Sequence, residues 1–206
     1  GLYGRLISLL STRLSNFSDG IIGVSGGIIK ELEKYSVNKS KLQVIHNPID
    51  IQKIFELAKE PINKNEAKYF TKKPVLIAVG RFVTAKNYPL LINAFNKAIK
   101  EIDCRLVILG EGAQMNDIKF MVKKYNIQDD VIFLGWKKNP YKYLKKSTIY
   151  ISSSLWEGFP NSILEAMACS LPVIATDCPH GVNEIITKNN SEGVLIPVNN
   201  INAMYS

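Results

Sequence analysis

The sequence has 206 residues, of which 46% are hydrophobic and 21% are charged, with a formal net charge of +8. This balance excludes collagen-like, coiled-coil and disordered chains, and the length allows one large domain or one domain with part of another. No apolar stretch reaches the roughly 18 residues that a membrane span requires. Arg5 and Arg13 bracket a short apolar run without a small-residue cleavage site after it, which argues against a secretory signal.

Cysteine usage and charge distribution narrow the class of protein further. The sequence has three cysteines, Cys104, Cys169 and Cys178, and none of them forms a C-x-x-C motif. This odd number and spacing argue against a disulfide framework or a zinc site. Reduced thiols are typical of a cytoplasmic protein, which is the location that we predict. Residues 137–146 hold five lysines and no acid. This basic patch is a candidate contact for phosphate, an anionic membrane or nucleic acid, although a solvated basic surface is the plainer interpretation.

The first part of the chain mixes helical and strand patterns. Its first 60 residues predict a helix near the amino terminus, a strand at Ile21–Val24, a helix at Gly27–Tyr35 and a strand at Gln43–His46. Residues 61–74 are polar and rich in lysine, which predicts a loop before the main domain.

From residue 75 onward, short apolar runs alternate with helical patterns. The runs that we predict to be strands span residues 75–80, 105–110, 131–134, 148–152, 172–176 and 193–196. The helices predicted between them open at Tyr88-Pro89 and cover about residues 115–122, 141–146 and 161–169. Continuous apolar strands separated by helices predict an α/β fold, a Rossmann-like parallel sheet with helices on both faces.

The most informative segment is Ser152–Pro172, where a strand ends and a helix begins near Asn161 and Ser162. Ligands collect at the carboxyl ends of parallel strands, and a helix amino terminus attracts phosphate. Glu157 lies in the loop before this helix, and Glu165 lies one turn inside it on the face of Asn161 and Ser162. One carboxylate can therefore face the far end of a ligand while the other faces a nearer hydroxyl, although two solvent-exposed acids would also give this pattern.

Two further loops follow predicted strands. Gly80 and Arg81 stand at the end of the first strand of the main domain, with Lys86 a few residues later, and both cations can bind a phosphate. Gly110 and Gly112 follow the next strand and permit close approach of the backbone, without completing a dinucleotide fingerprint or a P-loop. A nucleoside diphosphate that carries a hydroxyl-rich group would satisfy all of these loops together.

These residues resemble the glycosyltransferase family 4 enzymes of GT-B fold, from about residue 19 to the end of the chain. Glu157 and Glu165 are separated by seven residues, which is the E-x7-E signature of that family. The other matching motifs are Gly80-Arg81 with Lys86, Leu109-Gly110-Glu111-Gly112, Phe133-Leu134-Gly135, Glu157-Gly158-Phe159, Glu165-Ala166-Met167-Ala168, Pro172-Val173-Ile174-Ala175 and Gly181 with Glu184.

The resemblance implies the C-terminal half of a GT-B fold. Residues 1–48 would be the end of an N-terminal acceptor-side domain and the crossover from it. Residues 49–206 would form the domain that binds the nucleotide sugar, truncated at its carboxyl end. This fragment alone is expected to be inactive, because most of the acceptor domain would be missing.

The resemblance also implies roles for individual residues. Glu157 would be the catalytic residue that contacts the transferred sugar, as nucleophile or as electrostatic stabiliser. Arg81 and Lys86 would hold the donor diphosphate, Glu165 would bind the ribose hydroxyls, and the amides of Asn161–Ile163 would support the distal phosphate. The backbone at residues 134–136 would contact the base. Besides Arg81, Lys86 and Glu165, the residues expected to bind the donor are Gly80, Gly110, Gly112, Leu134, Gly135, Trp136, Gly158, Phe159, Asn161, Ser162 and Ile163.

The implied activity is that of a retaining glycosyltransferase. It would move a hexose or N-acetylhexosamine from a nucleotide sugar, expected to be linked to UDP, to a glycan or lipid-linked acceptor in polysaccharide or glycoconjugate synthesis. No metal cofactor and no nucleic acid partner are expected, and the protein would be cytoplasmic with a candidate peripheral contact to the anionic inner face of the membrane.

Three alternatives stay open from the sequence. A GT-B sugar-nucleotide epimerase or an α-glucan phosphorylase would share the fold, although the E-x7-E pair together with Arg81 and Lys86 argues against both. A non-enzymatic module that binds anions through the basic patch is the third.

Overall fold

The structure is a computed structural model that describes residue 14 and residues 17–34, 37–188 and 191–206. A small parallel sheet joins β1 (Ile21–Gly23) to β2 (Leu42–Val44), with helix α1 (Gly26–Lys34) between them in the chain. The two strands and the helix predicted here are therefore confirmed with slightly different bounds. The helix predicted near the amino terminus falls almost wholly outside the described residues, as does Tyr35.

The main sheet of the described residues has six strands, all parallel. They are β3 (Val75–Val79), β4 (Arg105–Leu109), β5 (Val131–Gly135), β6 (Ile149–Ser152), β7 (Val173–Thr176) and β8 (Val194–Ile196). Their order in the sheet is β5-β4-β3-β6-β7-β8, so the first strand lies in the centre and the chain winds outward in both directions. This doubly wound order confirms the predicted Rossmann-like sheet and places a switch point between β3 and β6.

Helices cover both faces of this sheet. They are α2 (Ile51–Ala58), α3 (Lys64–Ala67), α4 (Tyr88–Ala98), α5 (Met115–Lys124), α6 (Tyr141–Leu144), α7 (Asn161–Ala168), α8 (Val182–Ile185) and α9 (Ile201–Tyr205). Alternate residues of β4 belong to different core clusters: Leu106 and Ile108 pack with α4 and α5, whereas Val107 and Leu109 pack with α6 and α7. A strand buried on both sides explains why its sequence is continuously apolar.

The prediction of a loop at residues 61–74 is wrong. This segment holds α3 and a 3-10 turn at Lys68–Phe70. The Asn63 side chain caps α3 by accepting a hydrogen bond from the Asn65 amide at 3.1 Å. A four-residue helix has too little periodicity to be recognised among lysines, so its cap was the usable signal.

Helix α2 was not predicted either. Asp50 caps it by accepting a hydrogen bond from the Lys53 amide at 3.0 Å, and Ile54 is only 3% exposed against the core. No helix among the described residues is long and apolar enough to span a bilayer.

The loops after β3, β4 and β5 lie in close contact. The Gly110 amide donates to the Gly135 carbonyl and the Gly80 amide to the Leu109 carbonyl, both at 2.9 Å. Gly110 has a φ of +142°, and a Cβ there would lie 1.9 Å from the Gly80 carbonyl oxygen. Only glycine fits at this position, because any side chain would separate the carboxyl ends of β3 and β4.

This fit predicts that Gly110→Ala lowers the free energy of unfolding by about 2 kcal/mol or more, because it adds both backbone strain and a collision with backbone. Gly20→Ala is the matched control, since the nearest atom to a Cβ at Gly20 is 3.9 Å away. Urea unfolding of both variants measures the difference. Equal midpoints for the two variants would contradict the close packing of these loops.

Candidate functional site

Two of the residues singled out in the sequence form an ion pair at the switch point. Lys86 Nζ lies 2.6 Å from Glu157 Oε1, and the two side chains are 22% and 12% exposed. Lys86 ends the short 3-10 turn that follows β3, whereas Glu157 lies in the loop after β6. Because β3 and β6 are parallel neighbours, their carboxyl ends bring the two side chains together.

Hydrogen bonds fix the loop that carries Glu157. The Leu155 amide donates to the Ala85 carbonyl at 2.7 Å, and the Ser153 hydroxyl donates to the Lys86 carbonyl at 2.7 Å. These contacts tie the loop after β6 to the turn after β3. The Glu157 amide donates to the Pro179 carbonyl at 3.2 Å, which adds a contact to the segment after β7.

A cavity of about 430 Å³ opens at the carboxyl ends of β3 and β4. It is lined by Val79, Gly80, Arg81, Leu109, Gly110, Glu111, Trp136, Lys137 and Pro140. The Arg81 side chain is exposed and forms no hydrogen bond or ion pair with any part of the chain that the structure describes. A free guanidinium at the mouth of a cavity is available to an anionic ligand.

Glycines shape the walls of this cavity. Gly135 has a φ of +72°, which turns the chain after β5 and leaves the Trp136 side chain 67% exposed. The Trp136 amide donates to Glu111 Oε1 at 3.3 Å. A Cβ at Gly112 would lie 2.6 Å from the Phe82 carbonyl oxygen, so this position keeps the loop after β4 close to the loop after β3. The side chain of Leu134 packs into the core instead of lining the cavity.

The amino terminus of α7 presents fewer open amides than the sequence suggests. The Asn161 amide donates to the Phe159 carbonyl and the Ile163 amide to the Pro160 carbonyl, each at 3.0 Å. The amide of Ser162 has no acceptor among the described residues. A phosphate at this helix would therefore meet chiefly the Ser162 amide and the positive end of the helix dipole.

The glycine after Glu157 lies against residues from the first part of the chain. A Cβ at Gly158 would touch side-chain atoms of Val24 and Ile28 at 3.6 Å. The Phe159 ring stacks on His46 with ring centroids 4.7 Å apart, and the Asn47 side-chain amide donates to the Asn161 side chain at 3.1 Å. Four residues from the first part of the chain thus pack against the loop that carries Glu157 and the start of α7: Val24, Ile28, His46 and Asn47.

Glu165 lies in a second, adjoining cavity of about 780 Å³ that shares Lys137 and also contains Asn161. Burial raises the pKa of its carboxyl group, although the hydrogen bond that Tyr141 donates to it at 3.2 Å lowers the pKa in part. A half-buried carboxylate with one donor has free lone pairs for a ligand's hydroxyl groups.

The basic patch is partly neutralised within the described residues. Lys137 forms a 2.6 Å ion pair with Glu66, which also accepts a hydrogen bond from Tyr143 at 2.6 Å. Burial alone would raise the pKa of Glu66, but these two hydrogen bonds and the positive charges of Lys137 and Lys142 together outweigh burial and lower the pKa. Lys142 lies 3.7 Å from Glu60, whereas Lys138, Lys145 and Lys146 are exposed and have no acidic partner in the described part of the chain. The net positive charge at this patch is therefore lower than the five lysines of its sequence suggest.

Ser154 lies beside Glu157, although no role for it is predicted from the sequence. Its hydroxyl donates to Glu157 Oε1 at 2.6 Å, and the residue is 1% exposed. Three consecutive serines at the end of an otherwise apolar strand, all buried, are the signal that could have found it. Among the described residues, no group of three or more His, Cys, Asp or Glu side chains could hold a metal ion.

Comparison with known proteins identifies the family. Residues 59–205 match the family model of glycosyl transferases group 1, and the chain belongs to that family. An uncharacterized glycosyltransferase of Methanocaldococcus jannaschii is 36% identical over 90% of this chain and 46% of its own length. The N-acetylgalactosamine-N,N'-diacetylbacillosaminyl-diphospho-undecaprenol 4-alpha-N-acetylgalactosaminyltransferase of Campylobacter jejuni is 34% identical over 97% of this chain and 51% of its own length.

A solved structure supports the same fold. It is a TarM mutant of S. aureus in complex with fondaparinux, α-GlcNAc-glycerol and UDP, and it superposes with a TM-score of 0.79 and 26% identity. The superposition covers 93% of this chain and 36% of TarM. The GT-B type of Rossmann-like fold is thereby confirmed, and the chain spans about half the length of the curated relatives it matches.

The raised pKa of Glu165 predicts a pH-dependent stability difference. A carboxyl group with a raised pKa in the folded state costs no stability below its unfolded pKa. As the pH rises above that value the fold is progressively destabilised, and the penalty is complete once the pH passes the folded pKa. Glu165→Gln keeps an acceptor for Tyr141 without the charge, so it should unfold at a higher temperature than the unsubstituted chain at pH 7. Thermal unfolding should show this gain disappearing below about pH 4, where the carboxyl group is protonated in both the folded and the unfolded chain. A gain that grows toward low pH would contradict the assignment.

Proposed function

We propose that this chain binds the donor of a glycosyltransferase that moves a hexose or N-acetylhexosamine from a UDP-sugar to a glycan or lipid-linked acceptor. The observation that carries the proposal is the ion pair of Lys86 and Glu157 at the switch point, next to a cavity with the exposed Arg81 at its mouth. Cations for a diphosphate and a carboxylate for a sugar thus lie side by side. TarM, which has the same fold, is solved with UDP.

In this proposal the donor lies along the carboxyl ends of the strands. The base occupies the cavity walled by Trp136, the diphosphate lies between Arg81 and Lys86, and the ribose hydroxyls reach Glu165. The distal phosphate meets the amino terminus of α7, and the sugar lies against Glu157. Arg81, Trp136, Glu165 and Asn161 at the start of α7 line one of the two adjoining cavities, and Lys86 and Glu157 form the ion pair between the loops after β3 and β6.

We assign the enzyme to glycosyltransferase family 4 and propose transfer with retention of anomeric configuration. The diphosphate would be neutralised by Arg81, Lys86 and the helix dipole, so donor binding requires no metal ion. The two glutamates of the E-x7-E signature, together with Arg81 and Lys86, argue against a sugar-nucleotide epimerase and against an α-glucan phosphorylase.

The acceptor side would lie in the part of the protein beyond this chain. We take residues 1–48 as the end of the acceptor-side domain and residues 49–206 as the donor domain, and we propose that this chain alone transfers no sugar. Transfer needs the acceptor oxygen held within about 3–3.5 Å of the donor carbon. The Campylobacter jejuni relative acts on a diphospho-undecaprenol acceptor, which supports a lipid-linked acceptor in glycan synthesis.

We further propose a cytoplasmic location with peripheral contact at the inner face of the membrane. Cys104, Cys169 and Cys178 are all free and buried, which supports a reducing compartment. The three exposed lysines of the basic patch would supply the contact with anionic lipid. A purely anion-binding module is less well supported, because Glu66 and Glu60 already engage Lys137 and Lys142.

The role of Arg81 gives one quantitative prediction. Charge-assisted hydrogen bonds contribute about 1.5–3 kcal/mol, so Arg81→Ala should weaken UDP binding about tenfold or more while uridine binding stays unchanged. Isothermal titration calorimetry measures both ligands. Lys124→Ala removes an exposed cation of α5, distant from the site, and serves as the control. Equal losses for UDP and uridine would point to misfolding and would contradict a diphosphate contact.

The nucleotide and the absence of a metal requirement are tested together. UDP should raise the unfolding temperature of the chain in a chelating buffer, because the proposed phosphate partners are all protein groups. It should do so more than GDP or ADP, because the proposed donor is a UDP-sugar. Stabilisation that appears only after magnesium is added would contradict the metal-free site. No response to any nucleotide, with or without magnesium, would contradict the proposed function itself.

A further inference from the structure

Glu157 Oε1 accepts two hydrogen bonds from the described residues. One comes from Lys86 Nζ and the other from the Ser154 hydroxyl, both at 2.6 Å. Glu157 Oε2 has no partner in the described part of the chain. The carboxylate is therefore held through one oxygen and presents the other.

Binding of a sugar nucleotide would affect the two hydrogen bonds to Glu157 differently. Lys86 is the cation that the proposed function assigns to the diphosphate, so the ligand would compete with Glu157 for its ammonium group. A hydroxyl group carries no charge and is not drawn to the diphosphate in this way. Ser154 would then be the partner that keeps Glu157 in place.

Ser154 is itself rigidly held. It is 1% exposed, and its carbonyl oxygen accepts a hydrogen bond from the Thr176 hydroxyl at 2.5 Å. Thr176 ends β7 and is also 1% exposed. A carboxylate can only accept, so the Ser154 hydroxyl must direct its proton to Glu157. Ser152 Oγ, 3.4 Å from Ser154 Oγ, can then donate to Ser154, which orients that hydroxyl further.

We propose that Ser154 is a positioning residue, whose hydroxyl fixes Glu157 Oε1 so that Oε2 faces the donor's sugar after Lys86 has turned to the diphosphate. This inference rests on the proposed function. It adds to the E-x7-E pair a third residue that acts on the sugar only through Glu157. Its effect must therefore appear with a UDP-sugar and be absent with UDP.

The test compares two ligands by isothermal titration calorimetry. The probes are UDP and the tightest-binding member of a panel of UDP-glucose, UDP-galactose, UDP-N-acetylglucosamine and UDP-N-acetylgalactosamine. Ser154→Ala should raise the ratio of Kd for the UDP-sugar to Kd for UDP about tenfold, with Kd for UDP unchanged. Ser154→Thr keeps the hydroxyl and should restore the ratio of the unsubstituted chain.

Ser147→Ala is the matched control. Ser147 precedes β6, at the opposite end of the strand from Ser154, and its hydroxyl donates to the Tyr143 carbonyl at 2.8 Å. Removing this hydroxyl should leave the ratio unchanged.

A double substitution shows whether Ser154 acts through Glu157. Glu157→Gln should raise the ratio by itself, and adding Ser154→Ala should raise it no further, because the residue that Ser154 positions has already been altered. Should Ser154→Ala fail to fold, Ser154→Cys supplies a side chain of similar size with a weak donor and should show the same selective loss.

Three results would overturn the inference: an unchanged ratio in Ser154→Ala or Ser154→Cys, an equal loss for both ligands, or additive effects in the double variant. An unsubstituted chain that binds neither UDP nor any of the four UDP-sugars would instead refute the proposed function, and the inference with it.

Discussion

The parallel pairing of β3 with β6 determines where the candidate site lies. The chain runs outward from β3 through β4 and β5, returns to β6 beside it, and then continues outward through β7 and β8. Each of these strands ends at the same edge of the sheet, so loops that are far apart in the sequence meet there. Lys86 and Glu157 are 71 residues apart, yet their side chains are in contact. Gly110 maintains this edge, because it is the residue that lets the loops after β3 and β4 approach each other closely.

The electrostatics of the site follow from its partly buried charges. A buried carboxylate without a partner would be costly, and Lys86 together with Ser154 removes that cost for Glu157. An arriving diphosphate can replace Glu157 as the partner of Lys86, which leaves the Glu157 carboxylate with the neutral Ser154 hydroxyl as its hydrogen-bond donor. Glu165 differs from Glu157, since burial raises its pKa and its one hydrogen-bond donor among the described residues is the Tyr141 hydroxyl. Hydroxyl groups of a ligand would donate further hydrogen bonds to such a carboxylate. Residues that bind a ligand often lower the stability of the free protein in this way.

Much of this could be predicted from the sequence, for identifiable reasons. Strands such as Arg105–Leu109 are buried on both faces, so their apolar runs are continuous and easily recognised. Helix α3 is short and polar, and its position depends on contacts of Glu66 with residues more than 70 positions away, which no local pattern contains. The role of Ser154 is likewise invisible locally, because it depends on where the carboxylate of Glu157 turns. The open amides predicted at Asn161 and Ile163 depend on loop geometry that the motif does not specify.

A crystal structure of this chain bound to UDP would test the central claim most directly. The account predicts a diphosphate in contact with Arg81 and Lys86, with Lys86 Nζ moved away from its 2.6 Å contact with Glu157. It also predicts a base beside Trp136, ribose hydroxyls at Glu165, and Glu157 still held by the Ser154 hydroxyl. A nucleotide bound elsewhere on the sheet, or a diphosphate in this cleft that touches neither cation, would contradict it.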